Sequence, residues 1–294
     1  MTKIQALSLI VTIFVCAGQP AFATIRHPDQ PESEYRAFGK QFPSVVTFAP
    51  QGGGGVLIAP TWILTAAHCV DHDASDGGMF SVLVNGENHA VKEIVLHSRY
   101  KPGFVGNDIA LVQLERPVTR ETSLPIYVGT GEHGLPCVFV GYGWCFPMGF
   151  DFKPALVPEN EKPGIRRAGT NQVSRTTDET LHTTADLVGS VTRLEYHTAG
   201  GDSGGPLIIE IGGKPFIAGI VSGSTSDDPA ESDYSRVSAY SRWIEDVTGE
   251  DFGVSRPERA WIWGGLIICF LCVAGMLRFR RQHRLTRSED AMPA

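Results

Sequence analysis

The chain has 294 residues, 42% of them hydrophobic and 19% charged, which is enough apolar material for a sizeable core. With 33 glycines, 9% aromatics and no heptad, fixed-period repeat or low-complexity tract, it is turn-rich, and coiled coils, solenoids and fibrous folds are excluded. Net charge is -7, but residues 24 to 257 hold 29 Asp/Glu against 18 Lys/Arg while five arginines fall between Arg278 and Arg287. An acidic body without a basic stripe excludes nucleic-acid binding, because neutralising phosphates needs clustered Lys and Arg.

Residues 4 to 18 are apolar after a lone Lys3 and lead to Ala21-Phe22-Ala23, a small-x-small cleavage pattern. They read as an export signal over residues 1–23, with the mature chain starting at Thr24. From Phe42 to Thr248 short β-runs alternate with Gly, Pro, Asn and Asp punctuation. The better strands are Val45 to Phe48, Val56 to Ala59, Phe80 to Val84, Ile109 to Leu114, Cys137 to Val140, Leu207 to Ile211 and Phe216 to Ser222. Residues Phe146 to Asp186, polar and proline-interrupted, read as long surface loops. The one persuasive helix runs from Ser238 to Val247, with Ala239, Trp243 and Val247 on one face. The pattern is all-β, a barrel or a sandwich.

A linker at 251–260 then leads to Trp261–Leu277, 17 residues without a charge, about the minimum for a ~30 Å bilayer core. Trp261 and Trp263 stand at its outer edge, and the basic tail 278–294 follows as a cytoplasmic flank. The expected topology is an exported single-pass protein whose domain at 24–250 lies in the periplasm or at the cell surface, with the bilayer contacted through 261–277. Three glycines in so short a segment leave a cleavable sorting tail as the alternative; an apolar helix before an arginine cluster resembles bacterial surface-sorting signals. The domain between keeps three of the six cysteines, Cys69, Cys137 and Cys145. At most one disulfide can form within it, so stability must come from the core.

Three segments carry chemistry: Leu64-Thr65-Ala66-Ala67-His68-Cys69, Asn107-Asp108-Ile109-Ala110-Leu111 and Gly201-Asp202-Ser203-Gly204-Gly205-Pro206. A serine hydroxyl attacks only when a neutral imidazole takes its proton, and that imidazole needs a carboxylate to fix its tautomer and stabilise its cation. His68, Asp108 and Ser203 supply these groups, and the flanking glycines let the N–H groups of Gly201 and Ser203 converge on an oxyanion.

This order and these surroundings resemble the trypsin-like (chymotrypsin-fold, peptidase family S1) serine endopeptidases from about Phe42 to Ile244, in a bacterial type with a C-terminal transmembrane segment. Gly54-Gly55-Val56-Leu57-Ile58, Val140-Gly141-Tyr142-Gly143, Gly219-Ile220-Val221-Ser222 and Tyr234-Ser235-Arg236-Val237-Ser238 add to the match. The resemblance implies two six-stranded antiparallel β-barrels with a C-terminal helix, His68 and Asp108 on the first barrel and Ser203 on the second. It also implies protein or peptide substrates cleaved through an acyl-enzyme; without a zinc-spaced Cys/His cluster, a phosphate-binding glycine loop or an EF-type calcium loop, the sequence calls for no metal and no organic cofactor, and no obligate partner is apparent.

Three departures follow from the same resemblance. The usual disulfide partner of Cys69 falls on Gly53 and that of Cys137 on Ile209, so both habitual bridges are absent, and Cys137–Cys145 pairing or free thiols remain open. The terminus Thr24-Ile25-Arg26-His27 lacks the Ile-Val-Gly-Gly start of activated members. Either trimming to Ile25 gives an ammonium that pairs with Asp202, the favoured reading, or Asp202 is satisfied otherwise. The floor of the primary pocket falls on His197, followed by Thr198, with Ser222, Gly223 and Ser224 on the strand that substrates join. That pocket lacks the aspartate that selects Lys or Arg; an acidic or neutral side chain fits it unless His197 turns to a backbone partner. A groove that binds without turning over is the rival reading, whereas an α/β-hydrolase esterase fails because its histidine comes last.

Overall fold

In a computed structural model the described residues are 24–50, 52–76, 81–104, 106–120, 123–147, 162–185, 192–223 and 230–254. The expected export signal, membrane span and basic tail lie outside them, as does Ser224. Among the described residues no helix is long and apolar enough to cross a membrane. The chain divides after Glu250 into two units, the second described only over 251–254.

The first unit opens with β1 (Thr24–Arg26) and α1 (Glu32–Gly39). Next come β2 (Val45–Ala49), β3 (Gly54–Ala59), β4 (Trp62–Thr65), α2 (Asp71–Asp76), β5 (Ser81–Val84), β6 (Glu87–Leu96) and β7 (Ala110–Leu114). Strands β2 to β7 close into a barrel in the order β2-β3-β4-β7-β6-β5. There follow β8 (Pro136–Gly141), β9 (Cys145–Pro147), β10 (Arg167–Thr176), β11 (Thr180–Thr184), β12 (Tyr196–His197), β13 (Pro206–Ile211), β14 (Lys214–Gly223), β15 (Glu231–Arg236) and α3 (Val237–Thr248). Six of these form the second closed barrel, β10-β11-β15-β14-β13-β8, and β1 lies between β12 and β9 in a small separate sheet. The expected pair of six-stranded barrels with a C-terminal helix is what the chain builds.

Closure leaves neither sheet an open edge, and barrels of this size fill their interiors with side chains. Val46, Leu57, Ile63, Val82, Val112 and Leu114 fill the first, and Phe139, Val173, Leu181, Leu207, Ile209 and Tyr234 the second. Each large apolar side chain so buried contributes about 1.5–3 kcal/mol. Strand β3 is buried at every position, and only glycine fits at Gly55, where a Cβ would come within 2.6 Å of Ile63 Cγ2.

Three expectations need correction. Residues 146 to 186 are not simply loops, because β10 and β11 run through them. Apolar periodicity cannot show this: the buried positions of β10 include Arg167, Gly169 and Asn171, and the space a Cβ on Gly169 would need is filled by the Tyr196 ring. Helix α3 buries Val237, Tyr240, Ser241, Ile244 and Glu245 rather than the face of Ala239, Trp243 and Val247. Its buried stripe includes two polar residues that a hydrophobic count passes over, while Trp243 sits at the margin with its ring edge-on to His97 at 5.1 Å. Helix α1 was not expected either, since two of its three buried residues are Glu32 and Gly39.

Candidate active site

His68 sits in a single 3₁₀ turn, Ala67–Cys69, that begins as soon as β4 ends. Ala66 and Ala67 are fully buried, so only small side chains fit where the chain turns beneath the histidine. Asp108 precedes β7 and follows Asn107, whose φ of 64° is a left-handed conformation that asparagine tolerates better than most residues. The Asn107 amide donates to Tyr240 Oη at 3.1 Å, tying this corner to α3.

The Asp108 carboxylate, 2% exposed, gathers three donors. Oδ1 accepts the His68 backbone N–H at 2.9 Å, and Oδ2 lies 2.7 Å from His68 Nδ1 and accepts the Ser222 hydroxyl at 2.6 Å. The Ser235 hydroxyl donates to the Asp108 carbonyl at 2.8 Å, so the second barrel holds Asp108 through two serines. Burial disfavours the charged imidazole, but hydrogen bonding and charge from Asp108 and Cys69 together outweigh it and hold the His68 pKa well above 6.5. Its Nε2 rests 3.7 Å from Cys69 Sγ.

Ser203 lies in the turn between β12 and β13. Gly201 (φ 92°) and Gly204 (φ 80°) adopt left-handed conformations there, and a Cβ on Gly204 would fall 2.2 Å from the Gly54 carbonyl oxygen. The Ser203 carbonyl accepts the Gly54 N–H at 2.7 Å, which anchors the turn to the first barrel. A Cβ at Gly53 would lie 3.2 Å from Cys69 Sγ and 3.4 Å from the Ser203 carbonyl oxygen, so the histidine turn and the serine turn meet across Gly53. Among the described residues Ser203 and His68 share no hydrogen bond; such bonds are often long until substrate engages. No acceptor among the described residues takes the amide hydrogens of Gly201 or Ser203.

Asp202 is fully buried; its carboxylate accepts the Gly143 N–H at 2.7 Å and the Ala199 N–H at 3.0 Å. It fills the space that Cβ atoms at Gly141 and Gly143 would need, at 2.1 and 2.6 Å from Oδ1, which explains the glycines around Tyr142. Strand β1 pairs Ile25 with His197 on one side and Phe146 on the other, and Thr24 with Cys145. Both ladders run toward Ala199 and Gly143, the two amides on Asp202, as the chain is followed back from Ile25 through Thr24.

His197 and Thr198 are buried at 3% and 6% exposure. His197 Nδ1 is 2.6 Å from the Thr198 carbonyl oxygen and 3.4 Å from Ser232 Oγ, and the Thr198 hydroxyl donates to Ser232 Oγ at 2.9 Å. The ring does engage the backbone acceptor that sequence reasoning kept as an alternative. Ser232 was missed, because the strand Glu231–Arg236 was read only for its family match from Tyr234 onward. Ser222, expected along the substrate strand, turns its hydroxyl to Asp108, and Gly223 ends β14. Cys69, Cys137 and Cys145 are free thiols, and burial pushes those of Cys137 and Cys145 up to about 12. Ile209 stands directly across the ladder from Cys137, and Gly53 faces Cys69, the two positions where partners were expected to be missing.

Two closed barrels with a histidine–aspartate pair on one and a glycine-flanked serine turn on the other define the architecture of a chymotrypsin-like hydrolase. The family model described as Trypsin matches residues 33–244. Over 209 residues the chain is 29% identical to the trypsin of Phaedon cochleariae, covering 66% of this chain and 78% of that protein. It is 30% identical over 220 residues to the tryptase of Mus musculus (68% of this chain, 79% of that one). Serine protease 56 of Mus musculus is 31% identical over 220 residues, 66% of this chain but 34% of that longer protein. The solved structure described as "atomic resolution structure of HBP" superposes with a TM-score of 0.54 at 22% identity, over 72% of this chain and 94% of that one, a likeness of fold. The chain belongs to the trypsin family and is a serine endopeptidase.

Proposed function

We propose that the chain hydrolyses protein or peptide substrates through an acyl-enzyme in which Ser203 attacks, His68 is general base and then general acid, and Asp108 orients His68. The observation that carries this is the Asp108 carboxylate, buried and holding both the backbone N–H and the ring of His68. The N–H groups of Gly201 and Ser203 receive the oxyanion. Substrate pairs in extended form with the end of β14 at Ser222 and Gly223, and its primary side chain meets His197, Thr198 and Ser232. With no carboxylate among these three, the pocket favours neutral or acidic side chains over Lys or Arg.

The ammonium that pairs with Asp202 is read as that of a processed N-terminus. The β1 register favours Thr24 over Ile25 for this role, since Ile25 lies one residue, ~3.3 Å, farther from the Asp202 amides. Cleavage after Ala23 would then generate the working terminus without further trimming. From the sequence, residues 1–23 export the domain 24–250, 251–260 link it to a bilayer span at 261–277, and 278–294 stay on the cytoplasmic side.

The deciding experiment is labelling of the purified chain with an active-site serine phosphonate, followed by N-terminal sequencing of the labelled fraction. One label per chain, absent from Ser203→Ala, on molecules beginning at Thr24 is the expected result. A folded chain that begins at Thr24 and takes no label would instead be a peptide-binding groove.

The pH profile provides a second test. A base is active only once deprotonated, and Asp108 keeps the proton on His68 to higher pH, so kcat/KM should rise with pH through an apparent pKa above 6.5. In Cys69→Ala that limb should move to lower pH, because the thiol beside Nε2 helps to hold the proton. A kcat/KM that shows no rising limb in the unaltered chain, or the same limb in His68→Ala, removes His68 from the role of base.

A further inference from the structure

On the second barrel His182 of β11 and Glu231 and Asp233 of β15 bring one ligand atom each to within 4.8 Å of one another. His182 and Asp233 are partners across the β11–β15 ladder, and Glu231, two residues from Asp233, projects from the same face of its strand. His182 is 5% exposed and Asp233 1%. His182 Nδ1 lies 2.7 Å from Asp233 Oδ1 and 3.5 Å from Glu231 Oε1. Over the top reaches Arg175 of β10, its Nη2 3.0 Å from the same Nδ1 and 2.8 Å from Glu231 Oε1, with half of its side chain exposed.

These contacts are incompatible as hydrogen bonds. A ring nitrogen carries either a proton or a lone pair. Arginine only donates, so its contact needs the lone pair; a carboxylate only accepts, so the Asp233 contact needs the proton. His182 Nε2 faces Thr180 Oγ1 at 2.8 Å, a hydroxyl that serves either tautomer and does not resolve the conflict. A single bound cation taking lone pairs from Nδ1, Oδ1 and Oε1 satisfies all three groups at once, whereas the guanidinium contacts only two of them.

We propose that His182, Glu231 and Asp233 form a binding site for a divalent transition-metal ion of zinc's class, closed by Arg175, which the ion displaces. One imidazole with two carboxylates is a donor set suited to zinc, while calcium takes six to eight oxygens. Thr180 Oγ1 accepts the Nε2–H and so orients the ring with its Nδ1 lone pair toward the ion. Arg175, exposed and on a flexible stem, leaves at little cost, and its departure frees a coordination position for water. The ion would tie β11 to β15, whose Asp233 is in turn the ladder partner of Gly223.

The test is equilibrium dialysis of the full chain against zinc chloride, with thermal melts in parallel. One zinc per chain and a raised Tm are expected, with no rise from calcium. His182→Gln should lose the zinc, His68→Ala should keep it, and Arg175→Gln should bind it several-fold more tightly. Arg175→Gln alters an exposed side chain and keeps the test decisive if His182→Gln fails to fold. Absence of binding in both the unaltered chain and Arg175→Gln overturns the site, as does zinc that is lost from His68→Ala and kept by His182→Gln. Since proteolysis is not the readout, failure here leaves the catalytic reading standing.

Discussion

Asp108→Asn is expected to lower kcat by about 10⁴-fold while leaving the fold almost untouched. The carboxylate faces three donors: two on His68 and the Ser222 hydroxyl. An asparagine has one acceptor oxygen and an NH₂ that can only donate. If its oxygen faces the backbone N–H, the NH₂ confronts His68 Nδ1, which must then be the unprotonated nitrogen. The proton moves to Nε2, the atom that should receive the serine proton, and the base is lost. If the oxygen faces Nδ1 instead, the NH₂ opposes the His68 backbone N–H and the turn that carries the ring is strained. Either way the negative charge that stabilises the imidazolium is gone. The side chains are isosteric and the corner is also held by Ser235 and Tyr240, so Tm should change by a few degrees at most. Single-turnover kinetics beside a thermal melt provide the check, and kcat within tenfold of the unaltered chain would remove Asp108 from the triad.

The parts of this site that were legible in the sequence are those whose chemistry needs a fixed residue type in a fixed local setting. Ala66-Ala67-His68 and Gly201-Asp202-Ser203-Gly204 are of that kind, because burial under the histidine turn demands alanines and left-handed backbone beside the serine demands glycines. Ser222, Ser232 and Ser235 were not legible in their present roles. Each acts through one hydroxyl aimed across a strand boundary, and only the β14–β15 and β11–β15 pairings bring these hydroxyls to Asp108 and Thr198. The fold divides in the same way. Strands with apolar runs such as β3, β7 and β13 could be read, whereas β10 and α1 bury Arg167, Asn171 and Glu32, whose burial becomes intelligible only once their partners are known.

Arg167→Met should be the most damaging substitution for stability away from the triad. The guanidinium is 1% exposed, and each of its three nitrogens donates: Nε to Glu32 at 2.7 Å, Nη1 to the carbonyls of Gly143 and Ile165 at 3.1 Å each, and Nη2 to the Lys162 carbonyl at 3.2 Å. Methionine approximates the stem and supplies none of these donors, so three carbonyls and one buried carboxylate lose a partner. Breaking a buried pair from one side costs about 3–5 kcal/mol, which for a domain of this size lowers Tm by roughly 10 °C. The sign of the pH effect follows from Glu32. Burial alone would raise its pKa, but hydrogen bonds from Arg36 and Arg167 outweigh that and hold it below 4.5. A carboxyl with a depressed folded pKa contributes stability that is present above 4.5 and is lost as pH falls through the folded value. In Arg167→Met the depression shrinks, so less of this contribution is lost on acidification and the deficit against the unaltered chain should be smaller at pH 4 than at pH 7; Glu32→Gln added to Arg167→Met should recover part of the loss by removing the stranded charge. The effect should also reach the nucleophile, since Gly143 is held through its carbonyl by Arg167 and through its N–H holds Asp202, the residue before Ser203. In a domain whose three cysteines are free, this ion pair links α1 to the serine turn through Gly143. Urea unfolding of the two variants at pH 7 and pH 4 measures it, and a single variant as stable as the unaltered chain at both pH values would show that the Arg167–Glu32 pair does not hold α1.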